Sequence, residues 1–297
     1  MPLHLDTPLL ESRALGVLLK MDALQPSGSF KLRGIGAACE HHAARGKRRF
    51  VSSSGGNAGI AVAYAGRRLA IPVTVFVPET TTGTAKALIR AEGAEVIVHG
   101  ASWQEANARA LAVIDEETAF VHPFDDPLLW TGHATIIDEV VAAGASFDAV
   151  VLSVGGGGLL AGVAEGLDRN GLGATPIVAV ETRGADALAA SMSAGSLVEL
   201  PAITSIATSL GARRVAERAF ELARAGRVQS LVVEDREALD ACVRFLDDHR
   251  ILVEPACGAS LAVVYGGSLA SYGRVLVIVC GGATASLAQI AAWRAAR

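Results

Sequence analysis

Lysine is scarce in this chain: Lys20, Lys31, Lys47 and Lys86 are the only four. Lys31 lies in Gln25-Pro26-Ser27-Gly28-Ser29-Phe30-Lys31-Leu32-Arg33-Gly34, where a Pro-Ser-Gly-Ser turn delivers it at or near a helix start. Removing an amine from water disfavours the ammonium, and the free amine forms a Schiff base with an aldehyde. For any single lysine the plain alternative is a solvated residue at a helix end, so the neighbouring motifs must decide.

Three strand-to-turn junctions supply those motifs. Val51-Ser52-Ser53-Ser54-Gly55-Gly56-Asn57-Ala58-Gly59 ends a strand and opens a helix, offering backbone N–H groups, hydroxyls and an amide to a carboxylate or phosphate. Such clusters are also ordinary turn and cap chemistry. Leu152-Ser153-Val154-Gly155-Gly156-Gly157-Gly158-Leu159-Leu160-Ala161-Gly162 is a second junction, where successive glycines let backbone wrap a phosphate at the positive end of a helix. A dinucleotide G-x-G-x-x-G loop fits poorly because Leu160 stands at the sixth position, and no lysine follows as in an ATP loop. A flexible turn is the remaining alternative. Val275–Val279 is the third strand and ends in Cys280-Gly281-Gly282; ligands gather at such carboxyl ends in α/β sheets. A lone cysteine there is also an ordinary small core residue.

The elements that must position these junctions alternate along the chain. Runs rich in Val, Ile and Phe predict strands at Arg49–Ser52, Val73–Val77, Glu95–Val98, Ala149–Val154, Ile177–Val180 and Val275–Val279. Helical spacing predicts helices at Ala58–Leu69, Thr84–Glu92, Trp103–Glu116, Leu159–Leu167 and Asp235–His249, with another from Ser286. This alternation is α/β, and with 51% hydrophobic and 19% charged residues it suits sheets buried under helices. A chain of this length accommodates two lobes. No linker or repeat separates them; the irregular stretch His122-Pro123-Phe124-Asp125-Asp126-Pro127 marks a crossing, which sets domains at 1–30 plus 125–297 and at 31–124.

The net charge of −4 gives no basic surplus, so nucleic acid is not expected as a partner. Cys39, Cys242, Cys257 and Cys280 show no C-x-x-C pair, which suggests neither zinc nor a disulfide framework and fits reduced thiols in a cytoplasm. Asp6 and Glu11 interrupt the N-terminal stretch where an export signal needs an apolar run, and the apolar runs are too short to span a bilayer. A cytoplasmic protein with no membrane partner is the expectation.

Taken in order, Lys20 to Lys31, Ser54–Gly59, Ser153–Gly162, Leu252-Val253-Glu254-Pro255-Ala256-Cys257-Gly258-Ala259 and Val279–Gly282 closely resemble the serine/threonine dehydratases of the pyridoxal-phosphate, tryptophan-synthase-β-like fold (fold type II). The similarity runs through nearly the whole chain and is greatest to the short catabolic L-serine dehydratases, including those of animal liver. It implies two lobes, each a mostly parallel sheet flanked by helices, with a large cofactor-binding lobe and a small one. It implies pyridoxal 5'-phosphate on Lys31 as a Schiff base, with Phe30 packed against the ring. Gly155, Gly156, Gly157, Gly158 and Leu159 match the phosphate loop, and Asn57 matches the residue bonding the pyridine 3′-oxygen. Ser54, Gly55 and Asn57 match the loop for the substrate carboxylate, and Cys280 the thiol facing the pyridine nitrogen. Glu181, Ala185, Ala187, Leu210 and Ala212 match a monovalent-cation site, implying K+, and the family usually forms homodimers.

The implied activity is β-elimination: water and ammonia leave L-serine to give pyruvate, and L-threonine to give 2-oxobutyrate. Lys31 would be the Cα base, with Ser54 positioning or relaying a proton and the cofactor phosphate as acid for the departing hydroxyl. A neutral Cys280 thiol makes the ring a weaker electron sink, favouring prompt elimination. Gly55 departs from an alanine common in the animal enzymes, which implies more room and a looser substrate loop. A serine racemase, a β-replacement enzyme of the same fold and a noncatalytic metabolite-binding relative are the alternatives. The chain ends at Arg297, soon after the Cys280 strand and one helix, so the regulatory domain of biosynthetic threonine deaminases is not expected.

Overall fold

The computed structural model describes residues 1–296. In chain order its elements are β1 (Leu9–Ser12), β2 (Val17–Lys20), α1 (Lys31–Ala44), β3 (Arg49–Ser52), α2 (Asn57–Leu69), β4 (Val73–Val77), α3 (Gly83–Ala91), β5 (Glu95–Val98), α4 (Trp103–Leu111) and β6 (Thr118–Phe120). There follow α5 (Pro127–Ala142), β7 (Ala149–Ser153), α6 (Gly158–Arg169), β8 (Ile177–Thr182), α7 (Ala187–Ala194), α8 (Glu217–Arg224), β9 (Val228–Val233), α9 (Asp235–His249), α10 (Pro255–Tyr265), β10 (Val275–Ile278) and α11 (Leu287–Ala295).

The chain divides into two units, Met1–Leu5 with Gln25–Gly132, and Asp6–Leu24 with the residues from His133 onward. Residues 25–30 group with the smaller unit for a local reason. The Gln25 side chain brackets Leu5, accepting from its N–H at 2.9 Å and donating to its carbonyl at 2.8 Å. The same unit extends into α5 as far as Gly132, where a Cβ would lie 2.6 Å from the Arg33 carbonyl oxygen. Only glycine lets α5 approach α1 this closely.

The smaller unit is built on a four-stranded parallel sheet, β5-β4-β3-β6. Val51 and Phe76 of this sheet pack with Ala106 and Ala110 of α4, and Ile97, Val113 and Phe120 close the cluster. The sequence pattern carries a helix to Glu116, but α4 stops at Leu111. Asp115 accounts for the difference: its Oδ1 accepts from the Thr118 hydroxyl at 2.6 Å and the Glu117 N–H at 3.1 Å, an Asx turn that competes with helix and feeds β6.

The larger unit carries a six-stranded sheet, β1-β2-β10-β7-β8-β9, parallel throughout except for β1 against β2. Strands β7, β8 and β10 are buried along their whole length, which explains the apolar runs Ala149–Leu152, Ile177–Val180 and Val275–Ile278. Lys20, at the end of β2, is 1% exposed. Its amine donates to the Thr7 carbonyl at 2.5 Å and pairs with the Glu139 carboxylate, with Asp6 at 3.4 Å. Among the described residues no helix is long and apolar enough to cross a membrane. All four cysteines are free and buried.

Candidate active site

Lys31 is the first residue of α1. The turn that delivers it closes with the Gly28 N–H donating to the Gln25 carbonyl at 2.7 Å, and Gly28 has φ +77°, a conformation only glycine takes without strain. The half-buried Lys31 amine lies 5.2 Å from the centre of the Phe30 ring and donates to the Pro123 carbonyl at 2.5 Å. Pro123 follows β6. The Ser54–Asn57 loop follows β3, the strand beside β6, so the amine and the loop occupy the same carboxyl edge of one sheet.

Within that loop the three serines are not equivalent. Ser52 donates to the Val121 carbonyl at 3.0 Å, and Ser53 donates to Asn107 Oδ1 at 2.7 Å, so both hydroxyls tie the loop to its framework. Ser54 Oγ accepts from the Gly56 N–H at 3.4 Å, a long contact that leaves it the most readily redirected of the three. Asn57 opens α2 and is buried. At Gly59 a Cβ would fall 1.9 Å from the Ser54 carbonyl oxygen, so this glycine is required by packing of the loop on the helix.

Gly55 corrects one expectation. A Cβ there would lie 2.6 Å from both Cγ2 and Oγ1 of Thr81, so the space left by the missing methyl is already filled. The looser loop inferred from a missing methyl therefore does not follow. Gly55→Ala is expected to cost about 1–3 kcal/mol through overpacking, and Thr81→Ala in the same chain to recover most of it. Urea denaturation of the single and double variants checks this; strictly additive losses would refute the coupling.

In the larger unit the glycine loop follows β7 and opens α6. Gly157 has φ +90°, and a Cβ on it would lie 2.4 Å from that of Ala219; one on Gly155 would lie 2.9 Å from the Leu210 Cα. The loop is thus packed from behind, and the Gly156 carbonyl accepts from the Ala216 N–H at 2.9 Å. A slack turn would show neither feature. Gly157 is the N-cap of α6 and has no side chain to satisfy the first helical amides, which suits an anion at the positive end of the helix.

Cys280 follows β10, the neighbour of β7, and so shares its carboxyl edge with the glycine loop. A hydrogen bond with Cys257, then burial, then the nearby Glu254 raise its thiol well above the ordinary range, so it is protonated. Glu254 is buried and accepts from the Thr284 hydroxyl at 2.8 Å, and a Cβ on Gly282 would overlap its carboxyl group. Cys257 and Glu254 are surroundings of Cys280 that sequence reasoning did not identify, and Thr284 holds Glu254. The motif Leu252–Ala259 was visible, but nothing local joins it to Cys280.

Glu181, on β8, is fully buried, and its two oxygens accept from the Leu188 and Ala189 N–H groups at 2.8 Å each. Burial pushes its carboxyl up to about 8 against the opposing effect of those two bonds. Ala185 lies on the turn after β8 and Ala187 opens α7, while Leu210 ends a short 3-10 helix and Ala212 follows it. The two segments are tied together by the Thr204 N–H donating to the Gly184 carbonyl at 3.0 Å and by Thr182 and Ser205 hydroxyls at 2.8 Å. Among the described residues no group of three or more His, Cys, Asp or Glu side chains is arranged to hold a metal.

The family model described as pyridoxal-phosphate dependent enzyme matches residues 1–281. The chain is 50% identical over 299 residues to the human protein named serine dehydratase-like, covering 95% of this chain and 91% of that relative. It is 46% identical over 310 residues to human L-serine dehydratase/L-threonine deaminase, covering 98% and 94%. A solved fungal L-serine ammonia-lyase from Rhizomucor miehei superposes with a TM-score of 0.92 at 36% identity, covering 99% of each chain. With a family model spanning nearly its whole length and relatives at about half identity matching from end to end, the chain belongs to the pyridoxal-phosphate dependent enzymes.

Proposed function

We propose that this protein eliminates water and ammonia from L-serine, giving pyruvate, and acts likewise on L-threonine, giving 2-oxobutyrate. The observation that carries the reading is the Lys31 amine held at the same sheet edge as the Ser54–Asn57 loop. The near-complete match to relatives named for serine dehydration and threonine deamination supports it.

The residues fit pyridoxal phosphate. In the smaller unit Lys31 is an amine able to take an aldehyde, with Phe30 an aromatic face beside it; in the larger unit Gly155–Gly158 with Leu159 is by itself a tightly packed helix-start cradle able to take a phosphate. When bound, the cofactor makes the substrate Cα–H acidic by delocalising the electron pair left behind. The chain's own groups do the rest. Ser54, Gly55 and Asn57 would hold the substrate carboxylate, and the Lys31 amine would take the Cα proton. Ser54 would position or relay a proton, and Asn57 is the residue that would hold the cofactor's 3′-oxygen. Glu181, with the backbone carbonyls of Ala185, Ala187, Leu210 and Ala212, is assigned to K+; a cation there offsets the burial that otherwise keeps the carboxyl protonated. We assign the active form to a cytoplasmic homodimer, in keeping with four free, buried thiols.

Cys280 selects among the reactions open to this cofactor. A thiol that keeps its proton would not pair with a protonated ring nitrogen as a carboxylate does, so the ring would hold the Cα electron pair less well; that pair would then form the Cα=Cβ bond as the Cβ–O bonding pair leaves with the hydroxyl. Cys280→Asp is expected to raise racemisation or transamination relative to elimination, measured as D-serine and pyridoxamine product against pyruvate. An unchanged ratio sinks this role.

The reading is tested by incubating the purified protein with L-serine and L-threonine and following keto acid and ammonia. Equimolar pyruvate and ammonia from serine are expected. Accumulation of D-serine, or of a thioether when a thiol is supplied, in place of pyruvate would overturn the reading.

A further inference from the structure

The partner of the Lys31 amine belongs to a turn built around His122. His122 Nδ1 accepts from the Asp125 N–H at 2.7 Å and the Phe124 N–H at 3.2 Å. A ring nitrogen that accepts is the unprotonated one, so the imidazole is neutral with its proton on Nε2. Burial, and then the Lys31 charge, push His122 down to about 4, with Asp126 opposing, so this neutral form persists at neutral pH. Phe120 and Phe124 meet the ring edge-on, at 6.1 and 4.8 Å between centres. Pro123 has its φ fixed by its own ring and restricts the residue before it, so the turn has few other ways to hold its shape or to relax.

We infer that His122 is a positioning residue: by capping its own turn it aims the Pro123 carbonyl at Lys31, and this carbonyl is the station of the ε-amine whenever the amine is not attached to the cofactor. The inference rests on the assignment of Lys31 as the cofactor-bearing lysine. A carbonyl suits such a station because it accepts from an amine and from an ammonium alike, whereas a carboxylate would favour the charged, unreactive form. The station keeps a long, four-carbon side chain within reach of its target while it is detached, sparing most of the rotamer search.

The experiment follows reattachment of the cofactor to the full chain after the protein has been stripped and re-supplied with pyridoxal phosphate, read as the rise of the visible band of the lysine-bound form. His122→Asn keeps an acceptor where Nδ1 lies and caps the turn in the manner of an Asx turn. His122→Gln keeps bulk but places its acceptor one carbon too far, and His122→Ala removes both. The Asn variant should attach at a rate within about threefold of the wild type, and the Gln and Ala variants about tenfold more slowly. kcat with serine should fall by a similar factor in Gln and Ala, with KM little changed. An Asn variant as slow as Gln, or a Gln variant as fast as the wild type, overturns the inference. Lys31→Ala, run in parallel, separates the two readings: if it develops the band, the Lys31 assignment has failed, whatever the His122 variants do.

Discussion

Lys31→Ala is expected to lose the visible band of the lysine-bound cofactor and, with it, roughly a thousandfold or more of the turnover with serine. The size follows from one amine doing two jobs, attaching the cofactor and taking the Cα proton. Lys31→Arg should be equally inactive, because a guanidinium neither forms the imine nor gives up a proton near neutral pH. Lys47→Ala is the matching control; its amine donates to the Glu116 carbonyl at the protein surface, and its loss should leave both readouts unchanged. Keto-acid release and the absorption spectrum measure all three variants, and turnover surviving in Lys31→Ala would falsify the assignment. Thermal melting of the same samples should move little, since Lys31 is only half-buried and its amine donates to a backbone carbonyl.

Glu139→Ala is expected to produce the largest loss of stability, about 3 kcal/mol, seen as a fall in Tm of roughly 5 °C. Lys20 is buried at 1% exposure, and its ammonium is balanced chiefly by Glu139, the Asp6 carboxylate being more distant and mostly in solvent. Removing the carboxylate leaves a buried charge with only the Thr7 carbonyl and Asp6 to answer it. The paired replacement Lys20→Met with Glu139→Leu should recover most of the loss, since a buried ion pair exchanged for apolar groups of similar volume is often neutral or better. Scanning calorimetry of the single and double variants decides this; a double variant no more stable than Glu139→Ala would refute it. This pair lies outside the cofactor assignment, so the enzyme's spectrum should be unchanged in every variant that folds.

These two lysines show where the sequence is sufficient. Lys20 and Lys31 open and close the same twelve-residue motif, yet one is a buried structural cation at the end of β2 and the other a held amine at the start of α1. The turn residues around Lys31 distinguish it locally; the role of Lys20 depends on Glu139, more than a hundred residues away.

Elements with a clear local composition were legible for a similar reason. Strands β3, β4 and β5 begin and end where the short runs rich in Val, Ile and Phe place them, and α2, α3 and α9 fall within a residue of their helical pattern. Helices α5 and α10 were not visible. In α10 nearly every residue is buried, so its sequence has no polar stripe and a 3.6-residue period leaves no mark. Helix α1 carries two internal glycines that lower its local propensity, and it is held by packing against α2. Strands β1, β2, β6 and β9 were missed as well. Strand β6 has three residues, and no local pattern of that length separates a strand from a turn.

By itself the sequence determined the chemistry that is contiguous along the chain: an amine at a helix start, a Ser-Gly-Asn loop and a glycine loop at strand ends, and a thiol after a buried strand. Those features are set by φ/ψ preferences and side-chain type over a few residues. Tertiary structure alone decided which groups act on them. It filled the space at Gly55 with Thr81, placed Cys257 and Glu254 around the Cys280 thiol, and brought the His122 turn to the Lys31 amine. Each of these contacts joins residues on different elements, and strand order, which no local pattern encodes, brings them together.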